Sequence, residues 1–127
     1  KGDYAEKYGA KAVINAAEED VVNRIFELTD NEGVDVVIEA SGATPAIQEA
    51  LDIVKPGGRI VLVGILLLML SFPSKVIANE LDIHGVHRYA NVFPTAIKAV
   101  SSGKVYVKPF VTHSFPLENI LEGFETP

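Results

Sequence analysis

Length, composition and charge are typical of a small globular domain and exclude several kinds of partner. At 127 residues the chain has the length of one modest domain, and 48% hydrophobic residues are enough to fill a core. The net charge of -6 argues against nucleic-acid and acidic-membrane partners, because both bind basic surfaces. The chain has no cysteine, so it offers no disulfide and no thiolate metal ligand. We expect a cytoplasmic protein, because we find no targeting segment.

The first third of the chain predicts a helix, a short strand and a second helix. The first helix ends at Gly9, and the apolar residues of segment 11–15 predict a strand. Asn15 and Glu18 have the spacing of a capping box, so the second helix is predicted to begin there. Gly33 is predicted to end it.

Two strongly apolar strands follow, separated by one helix. Residues 34–41 predict a strand buried on both faces, and Thr44 with Pro45 is typical of the first turn of a helix. The sequence KPGG at 55–58 is predicted to stop that helix. Residues 59–65 then predict a second buried strand.

The apolar run continues past this strand, from Ile60 to Leu70. It is too short to cross a membrane, which takes about 20 apolar residues. Residues 66–70 are not explained by the strand, and three interpretations stay open. They could line a substrate or partner site, be a deliberately altered sequence, or form a helical turn that packs where other parts of a larger protein would lie.

The last third predicts one more strand and two helices. Residues 80–86 predict the strand, a helix begins at Pro94 and ends at Gly103, residues 107–115 are predicted to be extended, and a final helix begins near Pro116. Strands separated by single helices indicate right-handed crossovers and a parallel sheet. The predicted fold class is therefore α/β.

In open α/β sheets, ligands bind beyond the carboxyl ends of the strands. The predicted strand ends here are residues 39–42, 63–65 and 86–88. Small residues in these loops would let a ligand approach the backbone. The alternative is that Gly42 and Gly64 serve only the tight turns between strand and helix.

Several motifs resemble those of the zinc-containing medium-chain dehydrogenases, over nearly the whole chain. The most specific are VVIEASGA, VKPGGR, HGVHRYANVFPTAI and VTHSFPLE, and they resemble the sorbitol/xylitol (polyol) dehydrogenase branch most closely. The resemblance implies a Rossmann-like parallel sheet with flanking helices. It also implies a zinc-dependent, NAD-dependent oxidation of a polyol to a ketose, as in L-iditol or sorbitol 2-dehydrogenases.

The resemblance also implies roles for individual residues. Arg88 and Tyr89 correspond to the polar pair that contacts the polyol hydroxyls, and a guanidinium and a phenol can both hydrogen-bond a hydroxylated chain. His84 is expected to pack in its strand, and His113 to order a turn. The residues expected to contact the cofactor are Ala40, Ser41 and Gly42 on the adenosine side, Val63, Gly64 and Ile65 on the nicotinamide side, and Val86, His87 and Arg88.

Parts of the complete enzyme are missing from this chain. It has no G-x-G-x-x-G motif for the dinucleotide, and the zinc ligands of the resembled family belong to an amino-terminal domain. We therefore interpret the chain as a carboxyl-terminal fragment that carries half of an NAD site, no metal ligand and no catalytic residue, and that is inactive alone. Residues 1–109 are predicted to be an incomplete Rossmann domain without its first two strands, and residues 110–127 to return to the catalytic domain.

The missing strands affect the predicted sheet. In the order 3-2-1-4-5-6, residues 11–15 would be strand 3 and residues 34–41 strand 4, with two absent strands between them. We predict that residues 11–15 pair directly beside strand 4, or that this apolar edge pairs with another copy of the chain to form a homo-oligomer. Two alternatives to the polyol dehydrogenase remain, namely a related alcohol or threonine dehydrogenase and a self-associating α/β module without catalysis.

Overall fold

The computed structural model describes residues 2–65 and 73–126. The chain folds into two compact units, Lys1–His87 and Arg88–Pro127. The apolar segment 66–70 lies outside the described residues, so its three interpretations stay open. The predicted domain boundary after residue 109 stays a prediction.

In its described residues the first unit contains a three-stranded parallel sheet with helices, which confirms the predicted α/β class. The strands lie in the order β1-β2-β3, and both pairs are parallel. In chain order, the elements are α1 (Gly2–Lys7), α2 (Val21–Leu28), β1 (Val34–Glu39), α3 (Thr44–Ile53), β2 (Val54–Leu62), α4 (Pro73–Ala78) and β3 (Asp82–Gly85).

The core of this unit lies between α3 and the sheet. Ala50 and Leu51 on α3 pack in one cluster with Ile60 of β2 and with Leu81, which precedes β3. Ile60 keeps only 1% of its surface exposed. Full burial of an aliphatic side chain of this size stabilises a fold by about 1.5–3 kcal/mol. The apolar face of α3 and the buried residues Val54 and Ile60 of β2 therefore determine how this layer packs.

The predicted strand at residues 11–15 is not formed. Ala12 and Ile14 are half-buried while their neighbours are exposed, but the described sheet contains only β1, β2 and β3. The prediction that this segment moves in beside β1 is therefore wrong. The physical reason is that a strand forms only by ladder pairing, and segment 11–15 pairs with none of the described strands. Pairing of β1 with a second copy stays a prediction.

Helix α2 begins five residues later than the capping-box spacing predicts. The carbonyl of Asn15 accepts hydrogen bonds from the N–H groups of Glu18 and Glu19, which closes a turn. Asp20 is the N-cap, and its carboxylate accepts from the Asn23 N–H at 3.0 Å. A carboxylate acceptor at this position satisfies a helix N–H group that would otherwise have no partner.

Strand β2 begins earlier than predicted, because KPGG lies within it rather than before it. Val54 pairs with Val34, and the regular ladder resumes where Arg59 pairs with Val36. The two stretches are separated by a register shift, which two consecutive glycines, Gly57 and Gly58, accommodate.

The second unit contains short elements. Helix α5 (Phe93–Ser101) is followed by 3-10 turns at Lys108–Phe110 and Leu117–Asn119 and by helix α6 (Ile120–Glu125). The first turn falls inside the segment predicted to be extended, because Pro109 suits a tight turn. None of the described helices in either unit is long and apolar enough to cross a bilayer.

Candidate functional site

Three predicted cofactor segments lie side by side at the carboxyl edge of the sheet. The last residues of the strands are in register, with Glu39 opposite Leu62 and Leu62 opposite Gly85. The Glu39 carbonyl accepts hydrogen bonds from the N–H groups of Val63 (2.8 Å) and Gly64 (3.0 Å). The Val86 N–H donates to the Leu62 carbonyl at 2.9 Å. The ladder thus brings segments 40–42, 63–65 and 86–87 together, as expected for the ligand edge of a parallel sheet.

This edge exposes apolar side chains. Ile65 is 80% exposed, and Val63 and Val86 are also exposed. Ala40, Ser41 and His87 are exposed as well. The surface can therefore pack against the flat apolar face of a ring. Because few of its side chains are polar, these side chains offer few hydrogen bonds.

Glu39, the last residue of β1, is a buried acid at this edge, with 4% of its surface exposed. Its carboxylate accepts from the Ser41 hydroxyl (2.5 Å), the Ser41 N–H (2.7 Å) and the Gly42 N–H (2.9 Å). The Ser41 hydroxyl contributes most to holding the pKa of Glu39 below its ordinary value, and the two N–H groups act in the same direction against the opposing effect of burial. Sequence reasoning placed this residue in the strand end 39–42 but assigned it no role, although an acid that ends an apolar strand was a usable signal.

Gly42 and Gly64 are explained by contact between the loops. Gly42 has a φ of +71°, and a Cβ there would lie 2.5 Å from the Ile65 carbonyl oxygen. A Cβ on Gly64 would overlap the Gly42 nitrogen and lie 2.6 Å from Glu39 Oε2. The two loops therefore touch through their backbones, as the tight-turn interpretation requires. Close approach of a ligand to these glycines stays a prediction.

A shallow pocket lies beside the end of β1. Its volume is about 280 Å³. Pockets that hold small molecules usually have about 300–1,000 Å³. The pocket is therefore slightly smaller than the usual small-molecule site. Its lining comes from α2, α3 and the end of β1 and includes Val21, Ile38, Ala40, Ser41, Ala46 and Ala50.

Arg88 and Tyr89 begin the second unit. Arg88 has a φ of +57°, in the left-handed region that costs a non-glycine residue about 1–2 kcal/mol. Tyr89 is exposed, and its ring centroid lies 5.5 Å from that of Phe93 at the start of α5. Strained backbone is often found at functional positions, so the geometry is compatible with the predicted substrate role. That role itself stays a prediction.

The described side chains do not fit a zinc site. The described residues contain no group of three or more His, Cys, Asp or Glu side chains that could hold a metal. His84 is exposed and lies 2.8 Å from Asp82, so the expectation that it packs in the strand is wrong. His113 contacts the Thr112 hydroxyl at 3.0 Å and stacks on Phe115, which agrees with a role in ordering a turn.

Comparison with known proteins identifies the family. The sequence profile of the family described as zinc-binding dehydrogenase matches residues 1–102. The chain belongs to this family. The match includes the whole first unit and the second unit as far as the end of helix α5, and it confirms the family resemblance seen in the motifs.

Individual relatives of this dehydrogenase chain carry different names. It is 38% identical over 124 residues to the sorbitol dehydrogenase of Bacillus subtilis, with 95% of this chain and 35% of the relative covered. It is 35% identical over 127 residues to the L-threonine 3-dehydrogenase of Pyrococcus furiosus, with 95% and 36% covered. The chain thus spans about a third of the length of the curated relatives it matches.

A solved structure supports the fold. It is that of a putative zinc-binding dehydrogenase from Sinorhizobium meliloti bound to NADP. The TM-score is 0.77 at 27% identity, over 85% of this chain and 33% of that one. The sheet described above is therefore the sheet of a Rossmann-type dehydrogenase.

Proposed function

We propose that this chain is part of an NAD-dependent oxidoreductase that oxidises a polyol to a ketose, and that the chain alone is inactive. The observation that carries the proposal is the alignment of the three strand ends, which puts segments 40–42, 63–65 and 86–87 at one edge of the sheet. Family membership supports the oxidoreductase class. The proposed inactivity is supported by the small share of its relatives that the chain covers, about a third, together with the lack of a metal site among its described residues.

The residues at this edge would bind and orient the cofactor. Val63 and Ile65 would cover one face of the nicotinamide ring, while Ala40 and Ser41 would line the adenosine side. By the resemblance of the motifs, and not by its place at this edge, the Arg88 guanidinium would offer positive charge to a pyrophosphate. NAD held at this edge would supply the hydride acceptor for the oxidation of a secondary alcohol to a ketone, with release of the hydroxyl proton. The zinc of the family would be held by residues outside this chain.

The polyol substrate is favoured by a pair of hydrogen-bonding side chains. Arg88 offers several N–H donors, and Tyr89 offers a hydroxyl that both donates and accepts. A chain of hydroxyl groups can use both at once. The alternative substrate is threonine, since the identity to a threonine dehydrogenase, 35%, is close to the 38% identity to a sorbitol dehydrogenase.

Cofactor binding can be tested on the 127-residue chain with the two halves of NAD. Amide NMR should show that adenosine monophosphate shifts the signals of residues 40–42, whereas nicotinamide mononucleotide shifts those of 63–65. NAD itself should bind with a dissociation constant of about 1 mM or weaker, because only half of the site is present. A clearly smaller dissociation constant would contradict the proposal that the chain is inactive because half of its NAD site is missing. Signal shifts confined to other segments would contradict the assignment of these residues to the cofactor site.

Substrate class can be tested by grafting. The chain replaces the matching segment of the Bacillus subtilis sorbitol dehydrogenase, and the folded chimera is assayed with sorbitol, xylitol, threonine and a simple alcohol. We expect NAD-dependent oxidation of the two polyols. Arg88→Ala should raise the KM for polyol, whereas Lys104→Ala, a matched change of an exposed cation, should not. Preference for threonine would favour the alternative.

A second candidate function, self-association, is favoured by the exposed apolar surface of β1. This strand is at the edge of the described sheet, and Ile38 is 68% exposed with Val36 also exposed. Exposed apolar edge strands readily pair with other chains. Sedimentation should show a dimer that Ile38→Lys dissociates and Ile97→Lys, on α5, does not. A wild-type monomer at every concentration tested would exclude this candidate.

A further inference from the structure

We propose that Glu39 is a positioning residue that holds the two strand-end loops, 40–42 and 63–65, against each other in the arrangement that meets the cofactor. We call the contact formed by Glu39, Ser41, Gly42 and Gly64 the loop junction. That the junction serves cofactor binding rests on the proposed function. The contact itself is formed by residues of this chain alone. None of the roles expected from the motifs assigned a function to Glu39.

Glu39 joins the two loops through different atoms. Its side-chain carboxylate binds the first loop, with three donors at 2.5–2.9 Å from Ser41 and Gly42. Its backbone carbonyl binds the second loop, accepting from the N–H groups of Val63 and Gly64. One residue therefore contacts both loops, the first through its side chain and the second through its backbone.

The carboxylate also fills the space between the loops. A Cβ placed on Gly64 would come within 2.6 Å of Glu39 Oε2 and within 2.7 Å of the Gly42 Cα. The second loop therefore packs directly on the carboxylate and on the first loop's backbone. Because Glu39 is 4% exposed, water cannot easily replace its carboxylate as the acceptor for Ser41 and Gly42.

The junction extends into helix α3. The Ser41 hydroxyl donates to Glu39 and accepts from the N–H of Ala43, which is the N-cap of α3. A negative charge before a helix N-terminus is favourable, because the helix dipole is positive there. The first loop, the second loop and the start of α3 are thus connected through one side chain.

The junction has a consequence for ligand binding. The N–H groups of Ser41 and Gly42 already donate to Glu39, so they do not serve as donors to a phosphate. The first loop would therefore contribute a preformed surface rather than anion-binding groups. Preorganisation of this kind lowers the entropy lost when a ligand binds.

The test compares Glu39→Gln with Glu39→Asp and with Glu18→Gln as the matched control at an exposed position. Gln keeps the length but turns one acceptor oxygen into a donor, and Asp keeps the charge but cannot reach the same donors. Both should shift the amide signals of Ser41, Gly42, Gly64 and Ile65 while those of the β3 residues stay in place. Both should also raise the dissociation constants for adenosine monophosphate and nicotinamide mononucleotide about tenfold. Glu18→Gln should change neither.

A second variant covers the case in which the Glu39 variants do not fold. Ser41→Ala removes the 2.5 Å hydroxyl donor and leaves the acid in place, and we expect it to shift the Gly64 amide signal. Unchanged Gly64 and Ile65 signals in any folded variant would overturn the junction. If wild-type chain gives no mononucleotide response at all, the proposed function fails, while the amide signals still decide whether the junction exists.

Discussion

The two units use similar helices in different ways. In the first unit, α3 buries Ile47, Ala50 and Leu51 against its surroundings. In the second unit, α5 has the same kind of apolar face but no buried residue, and Ile97 on that face is 67% exposed. The difference teaches that an amphipathic pattern predicts which face of a helix is apolar. Only the tertiary structure shows whether other residues of this chain cover that face.

The strongest test of this comparison removes one apolar side chain from each unit. Ile60→Ala should lower the free energy of unfolding by about 2–5 kcal/mol, because it leaves a cavity in the core. Ile97→Ala should change it by about 0.5 kcal/mol or less, because exposed positions contribute little. Urea denaturation measures both. Equal losses would show that α5 is packed in solution and would break the comparison.

A second test adds atoms at the carboxyl edge of the first unit. Gly64→Ala should lower the free energy of unfolding by about 1–3 kcal/mol, because its Cβ overlaps the backbone of the first loop. Gly85→Ala in β3 is the matched control, since nothing lies within 4 Å of its Cβ. Denaturation of both variants in parallel gives the difference. A tolerated Gly64→Ala would mean that the loops are further apart than described.

A third test concerns the backbone at the start of the second unit. Arg88→Gly should raise the free energy of unfolding by about 1 kcal/mol or less, because glycine adopts a positive φ without strain but loses more chain entropy on folding. Lys104→Gly, at an exposed position outside the helices, should lower stability slightly instead. Thermal denaturation of the two variants distinguishes these signs. A loss of stability in Arg88→Gly would show that its side chain makes contacts that outweigh the strain.

The smallest expected effect comes from an exposed charge cluster on β2 and β3. His84, and next Arg59, hold the pKa of Asp82 below its ordinary value. A carboxyl whose pKa is lower in the folded state stabilises the fold above its unfolded pKa, about 3.9. That contribution is lost as the pH falls through the folded pKa.

Asp82→Asn should therefore reduce the acid sensitivity of unfolding, measured as the change in urea midpoint between neutral and acidic pH. Glu125→Gln in the second unit should leave that sensitivity as it is. An Asp82→Asn variant with wild-type acid sensitivity would show that solvent screens the cluster fully.

Much of the first unit could be predicted from the sequence. The apolar runs of β1 and β2 and the apolar face of α3 predicted a parallel α/β layer, and the structure has it. Bounds were less predictable, because KPGG looks like a stop signal but lies inside β2, where a paired neighbour absorbs the irregularity. The Asn15 capping box failed because a turn ending at Asp20 provides an equally good cap.

The candidate site was predictable in place but not in its contacts. The strand ends 39–42, 63–65 and 86–88 were predicted from the pattern, and the strands of the structure end at Glu39, Leu62 and Gly85. Glu39 was given no role because its importance comes from burial and from two loops that meet around it, and neither is visible in a one-dimensional pattern. The failed strand at 11–15 has the same origin, since its formation depends on a neighbour rather than on its own residues.

By itself, the sequence determined the fold class, the segments of the chain that form the three parallel strands, and the motifs of the family. These follow from local preference and hydrophobic periodicity, which each segment carries within it. Only the tertiary structure decided which strands are paired, which glycines are required and which acid is buried. Those features depend on contacts between segments far apart in the chain, and such contacts exist only once the backbone has folded.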